Sequence, residues 1–474
     1  MPMTVDQAAQ KIQSLVHDDG FLGTSRNDHV HEIQKVLGGF SPADVNKIVG
    51  KLGSEDLKGW AGDINHGGVF GAQGLSGDEK RSLMNEMAKD LDGTQLARLS
   101  GAFNNRNDVV TLGDAVAGFS NADTKVAYVK ALAPNANDRE TQVDTSFGSS
   151  TMLSGDKEAY AIGQVLTSLK GNRTAFNDAI GALDNKQLGA VVKALENERM
   201  TTIMSPYGGG SITTSHDPAP LKALLEAGAA SGSTDHKAAL FQAASRAISD
   251  IRDSDSLLTP NLSANASAAT VAQGLTRLLD SDVRGITDRL NTMESGGRSI
   301  ATYVKQVLHD DPKATNGIIG RQLAQLQGAG TGLTAEEYIS QTDKTADGKP
   351  FYRNAQTLGY YSGAVQSAIN SMTSDAKTRG EIIGNVFSTV LAAGTTALTK
   401  MPVTGKIVSG LFSGGVTREV VRRITGDVTA GNKDLRDAFA ELALPRDANS
   451  TERYRGPAEP YYQGTENTVI LRNQ

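Results

Sequence analysis

The 474-residue chain carries a net charge of −6 and no cysteine. The missing thiols exclude disulfides, thiolate catalysis and Cys-ligated zinc, and the lack of any long basic run argues against nucleic acid as a partner. Aromatic residues make up only 5%, with a single Trp, and 51 residues are Gly. A core built this way rests on Leu, Val, Ile and Ala, which favours short, closely packed helices over an aromatic-rich β-sandwich.

At its start, Met1-Pro2-Met3-Thr4 has neither a basic n-region nor an apolar run, so it is no Sec-type signal peptide. The expectation is secretion by a leaderless route, or cytoplasmic residence before export. Val5, Ala8, Ile12, Leu15 and Val16 recur at helical spacing, as do Val30, Ile33, Val36 and Leu37 in a second helix. Between them His29 and His31 stand near carboxylates. An i, i+2 pair does not share a helix face, so capping and solvated roles are expected rather than a metal site.

From residue 40 to 200 the chain carries a worn repeat. Phe40-Ser41-Pro42-Ala43-Asp44 returns as Phe119-Ser120-Asn121-Ala122-Asp123, with Leu75-Ser76-Gly77-Asp78-Glu79 between them. The serines are expected to cap helices, with acidic residues following at the positive end of the dipole. Second helices are expected to start at Glu55-Asp56-Leu57, Thr94-Gln95-Leu96 and Lys186-Gln187-Leu188. The loose period of roughly 35 to 45 residues is that of helical hairpins. Such stacks make binding surfaces more often than they carry chemistry.

Two stretches break the pattern. Thr201–Met204 and Ser211–Thr214 flank Gly208-Gly209-Gly210 and suit either a small β-hairpin or a loop, and Asp138 to Met152 reads as a similar polar break. Helical spacing then returns through residue 330. Thr334 with Glu337 forms a capping-box pattern. Asp343-Lys344-Thr345-Ala346-Asp347-Gly348 partly matches a calcium loop, but Asn354 stands where a bidentate Glu is needed, so an Asp-Gly turn is expected.

Ile382 to Val416 is the least polar stretch, with Lys400 and Lys406 its only charges. It reads as an apolar helical hairpin whose first arm, Ile382 to Thr399, would cross most of a bilayer's hydrocarbon at about 1.5 Å per residue. Two readings stand: a buried core hairpin, or one that enters a bilayer when released. The candidate membrane-interaction residues are Ile382, Val386, Phe387, Val390, Leu391, Leu398, Ile407, Leu411 and Phe412, with Arg418, Arg422 and Arg423 as a basic flank. From Pro445 the tail reads as extended or disordered, with Thr468 to Leu471 able to add a strand to a partner.

The fold class expected is all-α: a multi-helix array of short helical hairpins with a C-terminal apolar hairpin and an irregular tail. The boundaries expected are 1–200, 201–375, 376–444 and 445–474. No H-E-x-x-H, G-x-S-x-G or P-loop pattern occurs, so no catalytic residue, cofactor or metal ligand is assigned. Ser374-Asp375-Ala376-Lys377 matches S-x-x-K by letter only, and Ser374 is expected to cap a helix.

The phrases FSPADVNKIVGKLGSEDL, LSGDEKRSLMNEMAKDLDGTQLARL and LGYYSGAVQSAINSMTSDAKTRGEIIGNVFSTVLAAG resemble helical regions of bacterial secreted effectors and toxins. That resemblance implies export through a specialised secretion or contractile injection apparatus. Its candidate partners are a membrane, the apparatus itself, a chaperone or an immunity protein. It supplies no active residue. Three functions follow: an effector or toxin acting on a membrane through its apolar hairpin, a helical interaction or cargo protein, and a hydrolase with an unrecognised site.

Overall fold

A computed structural model describes residues 3–18, 26–65, 75–139, 141–146, 149–153, 155–204, 210–253, 262–294, 296–310, 317–398, 418–445 and 455–473. Twenty-three α-helices lie among them, with a few short strands, and the architecture is an all-α helical array. By contact the chain divides into two units: 1–236 with 261–267, and 237–260 with 268–474.

Unit one contains α1 (Val5–Val16), α2 (Arg26–Leu37), α3 (Pro42–Lys51), α4 (Ser54–Asn65), α5 (Gly77–Asp90), α6 (Gly93–Ala102), α7 (Arg106–Phe119), α8 (Ala122–Leu132), α9 (Lys157–Ser168), α10 (Arg173–Ile180), α11 (Asn185–Glu196) and α12 (Ala219–Ser231). Most of these start where a short polar side chain can satisfy the free amides of the first turn, whereas α12 starts after Pro218 without a side-chain cap. Ser41, Ser76, Asp92, Asn105, Asn121, Asn172 and Asp184 all accept from the amide three residues on. The backbone amides of Ser76 and Asp184 donate in return to the side-chain oxygens of Glu79 and Gln187. Ser120 is not the cap that was expected. It closes α7, its hydroxyl donates to the Ala88 carbonyl, and Asn121, whose amide oxygen can accept from Thr124 N, takes the cap.

The apolar stripes then determine which helices meet. Along the array a helix packs against the one two places on: α1 on α3, α2 on α4, α3 on α5, α4 on α6, α5 on α7, α6 on α8, α7 on α9, α8 on α10, and α10 on α12. Trp60, Phe103, Tyr128 and Phe176, among the largest fully buried side chains, sit along this seam. The Tyr128 hydroxyl keeps a partner in Ser100 at 2.7 Å, as a buried phenol requires.

Two hairpin insertions, one before α9 and one after α11, break the helices. Strands β1 (Thr141–Ser146), β2 (Ser149–Leu153), β3 (Arg199–Met204) and β4 (Gly210–Ser215) pair antiparallel in sequence order. Of the two readings left open for the glycine-rich stretch, the hairpin is the one that forms, and the first polar break is a hairpin as well, with a bulge between Gln142 and Asp144. Ser, Thr, Val and Met fill these strands; β-branched side chains suit a pleated surface better than a helix.

The chain crosses between units in α13 (Thr234–Asp253) and α14 (Leu262–Asp280). Unit two adds α15 (Val283–Met293), α16 (Arg298–Asp310), α17 (Ile318–Leu326), α18 (Ala335–Ile339), the two-residue strands β5 (Asp343–Lys344) and β6 (Pro350–Phe351), α19 (Arg353–Met372), α20 (Ala376–Leu398), α21 (Arg418–Thr429), α22 (Leu435–Ala443) and α23 (Glu459–Asn473). The capping box of Thr334 and Glu337 forms at α18. Asp343 to Gly348 makes the β5–β6 turn, with Gly348 at φ +80° and the Thr345 hydroxyl donating to the Lys349 carbonyl.

Unit two is organised around α19, buried along most of its length, which meets α15, α16, α17, α18, α20, α22 and α23. Its tightest partner is α23, the stretch expected to be extended. Residues Thr468 to Leu471 have weak helix propensity, but Tyr462, Glu466 and Val469 recur at helical spacing and all are buried. Tertiary burial decides the conformation. The approach is close because α19 offers Gly359 and Gly363: a Cβ on the first would fall on the Tyr462 carbonyl, and one on the second would lie 2.8 Å from the Glu466 carbonyl oxygen.

Candidate functional site

The residues singled out as membrane-interacting fall into three groups. Ile382, Val386, Phe387 and Val390 lie on α20 and are buried. They face α17 and α21, and Phe387 meets Phe439 of α22. Leu391 is half-buried, and Leu398 ends the same helix. Ile407, Leu411 and Phe412 lie outside the described residues. Arg418, Arg422 and Arg423 are exposed on α21, whose Val421, Ile424 and Val428 are buried. Among the described residues no helix is long and apolar enough to cross a membrane. Ile382, Val386, Phe387 and Val390 are part of the core of unit two, and the basic flank presents its guanidiniums to solvent. Asp375, not Ser374, caps α20, its carboxylate accepting from Thr378 N at 2.8 Å.

The histidines do not gather. His29 is buried with its Nδ1 3.5 Å from Asp63 of α4, whereas His31 is exposed. His17 pairs with Asp56 at 2.8 Å. Burial raises the Asp56 carboxyl, but donors from Gly53 N, Gln13 and His17 outweigh this and hold it below its ordinary value. Both pairs join α1 or the start of α2 to α4. Among the described residues no group of three His, Asp or Glu side chains could hold a metal ion.

Two polar constellations are more concentrated. The first surrounds the start of α9 in unit one, where Asp156 and Glu158 are both buried. Asn137 donates to Asp156, and Lys157 lies 3.6 Å from Glu158 and donates to the Phe103 carbonyl. Arg106, itself buried, donates to the Gly155 carbonyl at 3.1 Å and stacks 4.9 Å over the Tyr160 ring. Gly155 must be glycine, since its φ is +72° and a Cβ would press on Ala194. Burial, then the hydrogen bond and charge of Asp156, push the Glu158 carboxyl up to about 8, with Lys157 opposing. The pair therefore retains a proton at neutral pH. Its partners are internal, and they tie β2, α7 and α9 together.

The second lies in unit two, where a cavity of about 730 Å³ opens between α13, α16, the loop after α15 and the end of α23. Arg246 of α13, Arg298 of α16 and Arg472 of α23 line it, with Ser249 and Thr302 among the hydroxyls and Met293 on an apolar wall. Glu294 is the acid at its floor. One of its oxygens accepts from Ser299 N at 2.9 Å and Tyr360 at 3.0 Å, the other from the Ser299 hydroxyl at 2.9 Å and Gln242 at 3.4 Å. That carboxylate is thus spent on holding the helices in place. Burial and the adjoining Glu294 charge drive the Tyr360 hydroxyl far above its ordinary value, so it stays a donor. The arginines are scattered over the sequence at 246, 298 and 472, and no local spacing joins them.

Comparison with known proteins finds no match: no family model, no curated protein and no solved structure.

Proposed function

We propose that this chain is a helical binding protein of the secreted-effector kind, working through partner recognition. The observation that carries this reading is the packing of α1 to α12, in which helices pair two places apart and bury their apolar stripes pairwise. Stacks of this kind leave their outer positions free to contact other macromolecules. The burial of Val386 and Phe387 in unit two supports the same reading, because the residues that would enter a bilayer already have a hydrophobic environment. The resemblance of the repeat phrases to exported effectors suggests an injection apparatus, a chaperone or an immunity protein as the partner.

A second reading is favoured by the exposed Arg418, Arg422 and Arg423 on α21, which follow the apolar stretch and suit an anionic surface. Here the protein acts on a membrane once unit two opens. A paired experiment separates the two. The full chain is purified from its host to recover a stoichiometric partner, and it is added to dye-loaded anionic liposomes. A partner without leakage supports the binding role. Leakage that is lost in an R422E/R423E variant overturns it.

A further inference from the structure

We propose that the cavity bounded by Arg246, Arg298 and Arg472 binds a soluble phosphate ester of about nucleotide size. The chain is acidic overall at −6, yet three guanidiniums from three separate helices line one concavity. The Glu294 carboxylate, the only acid among the described residues that line the cavity, accepts from Ser299, Tyr360 and Gln242. Among the described residues the side chains of Arg246 and Arg298 make no ion pair or hydrogen bond, so their donors are available to a ligand.

Chemistry and size narrow the ligand class. Guanidinium forks match the paired oxygens of a phosphate, and hydroxyls such as Ser249 and Thr302 add donors around it. Three cations against one engaged carboxylate leave the lining net positive, which calls for a ligand with at least two negative charges. The cavity of about 730 Å³ exceeds what inorganic phosphate fills and falls within the ordinary range for organic ligands. Met293 supplies an apolar wall for the rest of the molecule.

The test is calorimetric titration of the full chain with ATP, ADP and inositol hexakisphosphate, with adenosine as the uncharged control. At least one phosphate ester is expected to bind saturably, more weakly as salt is raised, while adenosine does not bind. The double variant R246A/R298A is expected to bind at least about tenfold more weakly, a loss of about 1.4 kcal/mol or more. Both side chains are exposed, so the unliganded variant should keep the parent's circular dichroism and melting temperature. No saturable binding of any of the three esters, or unchanged affinity in the folded double variant, would overturn the assignment.

Discussion

Phe387 of α20 meets Phe439 of α22 edge-on, with ring centroids 5.2 Å apart and planes at 72°. This contact places α20 inside unit two, and it yields the first prediction. Phe387→Ala should cost about 3–5 kcal/mol in denaturant unfolding, the cost of emptying a packed aromatic site. Arg422→Ala on exposed α21 should change stability by less than about 0.5 kcal/mol. Equal effects from both would show that α20 is not part of the core.

The α19–α23 contact gives a second prediction. Gly359→Val puts a side chain onto the Tyr462 carbonyl, which belongs to rigid backbone. Overpacking of this kind costs about 1–3 kcal/mol, and here it should fall on the docking of α23. Limited proteolysis should cut the variant ahead of residue 459 faster than the parent, while sites within unit one are cut at an unchanged rate.

Unit one should show a pH signature from Glu158. Its ordinary value is 4.5 and the fold raises it to about 8, so between these values the folded chain holds a proton that the unfolded chain releases. The stabilisation is complete below about 4.5 and is lost as pH rises through about 8. Glu158→Gln should flatten the fall in stability across that window, measured by urea midpoints at closely spaced pH. A slope equal to the parent's would dissociate Glu158 from the effect.

The cap of α20 is assigned by geometry, and exchanging two neighbours tests it. Asp375→Ala removes the acceptor of Thr378 N and should cost about 1 kcal/mol. Ser374→Ala, one residue earlier and exposed, should cost almost nothing. Thermal melting of both variants resolves the difference.

Where local chemistry decides the conformation, the sequence was legible. Ser41, Ser76 and Thr334 cap helices because a short polar side chain before an apolar-periodic run satisfies free amides. The capping errors at Ser120 and Ser374 are shifts of one residue to Asn121 and Asp375, where adjacent polar residues compete for the same role. Long-range packing was harder to read. Residues 459–473 are helical only because α19 shelters Tyr462, Glu466 and Val469, and nothing in their own propensity announces it. The β1–β2 hairpin was missed because its Thr- and Ser-rich strands resemble a polar loop, although Val143, Thr145, Thr151 and Leu153 carry a faint two-residue alternation. The arginine-lined cavity had no signal at all, since its residues meet only through tertiary structure.

The buried bond from Gln366 to Glu466 joins positions separated by 100 residues. During vectorial synthesis α19 emerges long before α23, so its glycine groove waits uncovered while the intervening helices are made. Closing that long loop is slow and entropically costly compared with forming the neighbouring pairs of unit one. Unit one can therefore mature on the ribosome, whereas unit two gains its last interior surface only after residue 469 has cleared the exit tunnel.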